Sequence, residues 1–381
     1  MKPQIMMIAA EASSAHYALK LIQHWKNEKK DFSYFGVGSK DMEAEGFERL
    51  GRSEDMAVVG IAEIIEHYSD LKAVFNRLVE EALKRRPQVV VLMDYPDFNL
   101  MLAKKLSAAG LNVVYYISPQ VWAWRKGRIA KIKKYCKKVY LLFPFEEDFY
   151  KQSDVPYEFV GHPLLDELNP DLTNPIKIGF NRERYGIKAH EKILALMPGS
   201  RQGELHQHFA IQLETARMLM KKHDNLRVAI LVAPSVSKEN ILQRLEDFRS
   251  PYLLLQDDPY KMISLADYVL VASGTATLMV GLLFKPMVIM YRLNALTAFI
   301  ARRLIKGVRY FGLVNLIMGK EVVPERMQEQ ANPQTLFELI DRYITDEKYA
   351  QQVIEKLRQL PHRLGEKGAT ARVARSIENY L

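Results

Sequence analysis

The chain has 381 residues, more than one hydrophobic core usually fills, so two domains are expected. Apolar residues make up 48% of it, which excludes a disordered chain, and its one cysteine, Cys136, excludes a disulfide framework or a cysteine-rich zinc site and suits a reducing compartment. The formal charge of +9 calls for a negative partner: nucleic acid, an anionic lipid surface or a phosphorylated substrate.

The first apolar run, Ile5 to Ala10, is ended by Glu11; it is short for a signal sequence and reads as a buried strand. In the following Glu11-Ala12-Ser13-Ser14, the carboxylate of Glu11 and the hydroxyl of Ser13 can touch a substrate or cap a helix. Val89 to Met93 is unbroken and apolar, the pattern of a parallel strand covered on both faces, and Asp94-Tyr95-Pro96-Asp97-Phe98-Asn99 stands at its carboxyl end. Open α/β sheets bind ligands beyond the carboxyl ends of their strands, so Asp94 is the first candidate for a general base. The alternative is that the aspartates close the turn or cap the next helix, a role that suits Asp97.

Val113 to Ile117 and Val139 to Phe143 continue the strand series. Between them, Ser118-Pro119-Gln120-Val121-Trp122-Ala123-Trp124-Arg125 places Trp122 and Trp124 just past a strand, where they can wall an apolar or sugar-binding pocket or fill a core. From Arg125 to Lys138 there are eight Lys/Arg and no acid, the composition of a solvated helix face; Cys136 within this run is a poor nucleophile. His162, in Gly161-His162-Pro163, is the histidine best placed to reach a cleft, and the other eight have no ligand spacing.

Turn formers crowd Asn169-Pro170-Asp171-Leu172-Thr173-Asn174-Pro175, and a second strand series comes after them: Ile193 to Met197, Arg227 to Val232, Tyr252 to Leu255, Tyr268 to Val271 and Met287 to Tyr291. Alternation of strands with helical patterns means parallel sheets. The expected fold is therefore α/β, two Rossmann-like domains with parallel sheets facing across a cleft: residues 1–168, residues 175–345, and a C-terminal helical segment 346–381 that packs back on the first domain.

Pro198-Gly199-Ser200-Arg201-Gln202-Gly203-Glu204 joins a strand to a helix start. There, freed backbone N–H groups, Gly199, Ser200 and Arg201 suit a phosphate, with Glu204 in the same loop; the alternative for this loop alone is an ordinary helix-entry turn with a surface arginine. The Gly-Lys-Ser/Thr ending of a Walker A loop is missing. A second small-residue loop, Ser273-Gly274-Thr275-Ala276-Thr277, comes after Tyr268 to Val271, and the two together can hold a diphosphate without a metal. Beyond them, Phe299, Ile300, Leu304 and Ile305 alternate with Arg302, Arg303, Lys306 and Arg309, the pattern of a solvated helix face and also of a helix at a lipid interface. No zinc-finger or RNP-type signature accompanies the charge, so nucleic acid ranks behind lipid and phosphate.

In order and spacing, these segments resemble the lipid-A-disaccharide synthase family, inverting glycosyltransferases with two Rossmann-like domains (GT-B architecture). The likeness is carried by Val59-Gly60-Ile61-Ala62-Glu63, the Asp94 hexapeptide, the tryptophan segment, Phe143-Pro144-Phe145-Glu146, Phe159-Val160-Gly161-His162-Pro163, both small-residue loops, Asn315-Leu316, Val322-Val323-Pro324-Glu325 and Gln328. It implies a hexosyltransferase that moves 2,3-diacylglucosamine from UDP onto 2,3-diacylglucosamine 1-phosphate (lipid X), giving the β-1,6-linked disaccharide of lipid A and UDP. It further implies no metal and no cofactor, and a cytoplasmic enzyme held peripherally on the inner membrane; a homodimer stays open.

By position, the resemblance makes Asp94 the catalytic base and Gly199, Ser200, Arg201, Glu204, Ser273, Gly274, Thr275, Asn315 and Gln328 the donor side. It leaves Glu11, Ser13, Trp122, Trp124, Arg125 and His162 as acceptor-side candidates. Two places depart from the family pattern. Ala10 to Ala15 replaces Gly-Glu-Thr-Ser-Gly-Asp, and Met279 stands where a glutamate suits the ribose hydroxyls. The alternatives are a UDP-sugar enzyme of the same fold with another acceptor, or a non-catalytic binding paralogue.

Overall fold

Thirteen strands carry the architecture of the computed structural model, which describes residues 2–56, 68–119, 127–294 and 309–381. β1 (Gln4–Ala9), β2 (Ser33–Gly38), β3 (Phe47–Arg52), β4 (Val89–Met93), β5 (Val113–Tyr116), β6 (Lys138–Leu141) and β7 (Tyr157–Phe159) form one sheet in the order β3-β2-β1-β4-β5-β6-β7. The second sheet comprises β8 (Lys192–Met197), β9 (Leu226–Leu231), β10 (Tyr252–Leu255), β11 (Tyr268–Ala272), β12 (Met287–Tyr291) and β13 (Glu325–Met327), in the order β10-β9-β8-β11-β12-β13. Every pairing is parallel. Parallel strands need crossovers, and the helices that supply them cover the sheets, so β4 is buried along its whole length.

The nine strands expected from apolar runs are all present. The four others, β2, β3, β7 and β13, carry glycines or charges or span only three residues, and these weaken the apolar signal. In β2, Gly36 has φ +135°, and a Cβ there would lie 2.2 Å from the Met7 carbonyl oxygen, so only glycine lets β2 close on β1.

Two compact units result: residues 1–166 with 364–381, and residues 167–363. The C-terminal segment is therefore divided, with the helices Glu347–Leu357 and Leu360–Arg363 in the second unit and the helix Ala369–Glu378 in the first. In the first unit this last helix packs on the helix Ala12–Asn27: Trp25 Nε1 donates to Glu378 at 3.1 Å, and Lys30 pairs with the same carboxylate at 2.9 Å. Tyr140 and Lys138 both donate to Ser376 Oγ, at 3.1 and 3.0 Å, which fastens the helix to β6.

Candidate active site

Strands β1, β4, β5, β6 and β7 lie side by side and end at one edge of the first sheet, so Glu11 to Ser14, Asp94 to Asn99, Ser118-Pro119, Phe143 to Glu146 and Gly161 to Pro163 follow them there. The register Ala9↔Met93 puts Glu11 beside Asp94 and Tyr95. Asp94 and Tyr95 both adopt left-handed backbone, φ +49° and +45°, and Ile117 beyond β5 has φ +65°. Such angles cost about 1 kcal/mol or more each outside glycine and persist only where the surroundings impose them.

Here the surroundings are identifiable. Buried Asn99 donates to the carbonyls of Met93 (3.2 Å) and Asp94 (2.7 Å), and Tyr115 OH donates to the Asp94 carbonyl at 2.6 Å. Pro96 then opens the helix Pro96–Ala108 and keeps Tyr95 out of the helical region. The main chain of Asp94 is thus held through its carbonyl, and its half-buried carboxylate stands at the strand end. Asp97 does not take the capping position, because Tyr95 does; it lies in the first helical turn and pairs with the nearly buried Arg128 at 2.9 Å.

Around this edge the other candidates take mixed roles. Glu11 stands at the N-cap of the helix Ala12–Asn27, its backbone exchanging bonds with Ser14 Oγ, and its charge raises the Tyr95 phenol after burial has done so. Ser13 is half-buried. His162, expected to reach a cleft, is instead buried between the rings of Tyr17 and Phe143, and its Nδ1 accepts from the Leu164 amide at 3.2 Å. Burial lowers its pKa to about 3, so it is neutral. Trp122, Trp124 and Arg125, like Val59 to Glu63, lie outside the described residues.

Glu146, which closes the Phe143-Pro144-Phe145-Glu146 segment of the resemblance and has no role assigned by it, is a buried carboxyl. Its Oε2 accepts from the amides of Leu142 (3.2 Å) and Phe143 (3.1 Å), and burial pushes its pKa up to about 8 against those two bonds. A raised carboxyl pKa contributes stability that is complete below the ordinary value and lost as pH rises through about 8. Glu146→Gln keeps an oxygen for both amides and cannot ionise. Its melting temperature is therefore expected to match the parent near pH 4 and to exceed it by about 5 °C near pH 9 in a calorimetric pH series; equal values across the series would contradict this.

At the matching edge of the second sheet, the neighbours β8 and β11 bring the two small-residue loops together. Gly199 has φ +126°, and a Cβ there would fall 2.4 Å from Glu204 Oε2. The reason is that Glu204 turns back from the helix Gln202–Lys222: its Oε2 accepts from the Ser200 amide at 2.8 Å, and its Oε1 lies 3.7 Å from Arg201 Nη1. A carboxylate thus already occupies the anion position of this helix start.

His208, which spacing leaves among the packing histidines, bridges two strand ends. Its Nδ1 bonds the Pro198 carbonyl at 2.9 Å and its Nε2 accepts from the Arg292 amide at 3.0 Å. Gln212 joins the same helix to the carbonyls of Met197 and Leu270, both at 3.3 Å.

In the second loop, the Ser273 amide donates to Met290 O at 2.9 Å, and Thr277 Oγ1 donates to Gly274 O at 2.8 Å. Ser273 and Thr275 keep half-buried side chains, and Gly274 is exposed. Ser273, Tyr291, Phe311 and Glu325 line one small pocket. Asn315, expected on the donor side, is fully buried: its amide nitrogen donates to Val323 O (2.7 Å) and Glu325 Oε1 (2.6 Å), and its oxygen accepts from the amides of Val322 (2.7 Å) and Val323 (3.0 Å). It therefore positions Glu325, whose pKa is raised by burial, and leaves no amide group for a ligand. Gln328, half-buried with φ +52°, comes directly after β13, and Met279 is half-buried on the helix Thr275–Leu282.

Among the described residues no cluster of three or more His, Cys, Asp or Glu is arranged to hold a metal ion. No described helix is long and apolar enough to cross a membrane.

Comparison with solved structures finds the same architecture. A putative UDP-N-acetylglucosamine 2-epimerase from Listeria monocytogenes aligns with TM-score 0.68 at 10% identity, covering 100% of this chain and 96% of that one. An S. aureus MnaA–UDP co-structure gives 0.65 at 11% (100% and 97%), and Acinetobacter baumannii MurG gives 0.60 at 14% (99% and 99%). Likeness at these identities shows the fold, two Rossmann-like units of the GT-B class.

Sequence comparison reaches further. The Myxococcus xanthus lipid-A-disaccharide synthase is 35% identical over 380 residues, covering 100% of this chain and 98% of that protein; the Trichlorobacter lovleyi one is 37% identical over 371 residues (97% and 96%). The profile of the lipid-A-disaccharide synthetase family matches residues 5–377, from β1 to the last helix, and so takes in both strand edges. A chain matched along its whole length in this way belongs to the lipid-A-disaccharide synthase family.

Proposed function

We propose that this glycosyltransferase of lipid A biosynthesis condenses UDP-2,3-diacylglucosamine with 2,3-diacylglucosamine 1-phosphate. The observation that carries the reading is that a full-length family match includes both a carboxylate on an imposed turn in the first unit and two adjoining anion-suited loops in the second. In the reaction, Asp94 takes the proton of the acceptor 6-hydroxyl as that oxygen bonds the anomeric carbon of the donor. The bond from that carbon to the diphosphate oxygen breaks with inversion, and UDP leaves carrying the negative charge.

The Gly199–Arg201 loop stabilises this charge, with Arg201 as a bidentate cation and the Ser200 amide as donor; Ser273 and Thr275 add hydroxyls from the neighbouring loop. The diphosphate displaces Glu204 from the Ser200 amide, since both need the same donor. These groups stand in for a divalent ion, and no cofactor takes part. Met279 offers ribose hydroxyls only a weak thioether acceptor, which weakens donor binding relative to a glutamate at that place. The chain acts peripherally on the cytoplasmic face of the inner membrane, where its net charge of +9 favours anionic lipid.

Incubation with both diacylated substrates, followed by mass spectrometry, tests this. The expected product is the tetraacyl disaccharide 1-phosphate with one UDP released per disaccharide. Donor consumption without disaccharide would favour another acceptor, and UDP binding without donor consumption a binding paralogue.

A further inference from the structure

We infer that His208 is a positioning residue that ties the phosphate loop after β8 to the end of β12, and that only its neutral form makes the tie. The ring is completely buried and has a backbone partner on each side: Pro198 O at 2.9 Å from Nδ1, and the Arg292 amide 3.0 Å from Nε2. A carbonyl only accepts and a backbone amide only donates. These partners therefore set the tautomer, with the proton on Nδ1 and a lone pair on Nε2.

Protonation places a second N–H against the Arg292 N–H. One hydrogen bond is lost, and two donors then face each other without water, an arrangement that costs more than the bond itself. Burial lowers the His208 pKa; among the described charged groups acting on the ring, Glu204 on its own helix opposes that shift and Arg292 adds to it. The Tyr291 ring packs 5.4 Å from it. Because the folded value lies below the ordinary histidine value, the tie is complete above that ordinary value and weakens as pH falls below it.

The tie holds two specific segments. Pro198 leads directly into Gly199, Ser200 and Arg201, and Arg292 is the residue after Tyr291, which lines the pocket shared with Ser273. The consequence for donor binding rests on the function proposed above; the tie itself does not.

Hydrogen–deuterium exchange of residues 199–204 and 291–294, corrected for intrinsic rates, tests the tie at about pH 7.5 and about pH 5. Wild type is expected to lose about tenfold of its protection at the lower pH, whereas His208→Met shows the low protection at both. UDP affinity of His208→Met should fall about tenfold near neutral pH, with turnover at saturating donor retained. Equal protection in variant and wild type, or wild-type protection indifferent to pH, overturns the inference. If wild type binds no UDP, the donor-site reading fails while the exchange data still decide the tie. Should His208→Met fail to fold, nitrogen NMR of the wild-type ring decides: the Nδ1–H tautomer at neutral pH supports the tie, and an Nε2–H or doubly protonated ring overturns it.

Discussion

Asp94→Asn is expected to lower turnover by about a thousandfold while leaving UDP affinity within about twofold, because removing a general base costs on the order of 10² to 10⁴ in rate. The nucleotide gains nothing from the base and so loses nothing with it. Asparagine is the informative replacement. Residue 94 sits at φ +49°, a conformation that asparagine tolerates nearly as well as aspartate, and alanine adds about 1 kcal/mol of strain. The Asn99 and Tyr115 contacts reach the carbonyl of residue 94, so they survive the change and keep the turn. Asp94→Ala should abolish turnover as well, with a lower melting temperature. A radiolabelled disaccharide assay reads the effect, and variant turnover equal to wild type would remove Asp94 from the mechanism.

Arg201→Ala is expected to weaken UDP binding by about 10- to 100-fold, the equivalent of one charge-assisted bond of about 1.5 to 3 kcal/mol. Two losses combine. The guanidinium no longer reaches the diphosphate, and Glu204, 3.7 Å from it in the structure, is left as an unbalanced negative charge beside the same anion. Arg201→Lys restores charge without the planar fork, so it should recover only part of the affinity. The deficit of the alanine variant should shrink at high salt, where the repulsion from Glu204 is screened. Calorimetric titration with UDP checks both variants, and an unchanged affinity for Arg201→Ala would refute the assignment.

Much of the fold was legible because buried parallel strands are continuous apolar runs, and nine of the thirteen strands read that way. β2 was not: Gly36 serves the close approach to β1 and Gly38 makes room for Met42 and Phe47, requirements visible only once those neighbours are in place. The division of the C-terminal segment at residue 364 depends on contacts of Glu378 with Trp25 and of Ser376 with Tyr140, 353 and 236 residues away in the chain.

At the candidate site, Asp94 and the Gly199–Arg201 loop were legible because each stands just past the end of an apolar run. The residues that hold them were not, because Asn99, Tyr115 and His208 act through bonds to backbone atoms, and backbone partners leave no mark in sequence spacing. Asn315 shows the converse: it is part of the family resemblance, and in the fold its amide is spent on Val322, Val323 and Glu325. Of the second basic run, Arg302, Arg303 and Lys306 lie outside the described residues, and Arg309 stands beside Tyr310 with its guanidinium 5.5 Å from the ring centre.

The proposed division of labour, a proton acceptor after β4 and an anion cradle after β8, makes one stereochemical demand: a single displacement at the anomeric carbon, run without a divalent ion. Proton NMR of the disaccharide formed in the presence of a chelator reads this directly. A β-1,6 linkage from the α-linked donor is the result expected; retention of the α configuration, or product that forms only when a divalent cation is restored, would contradict it.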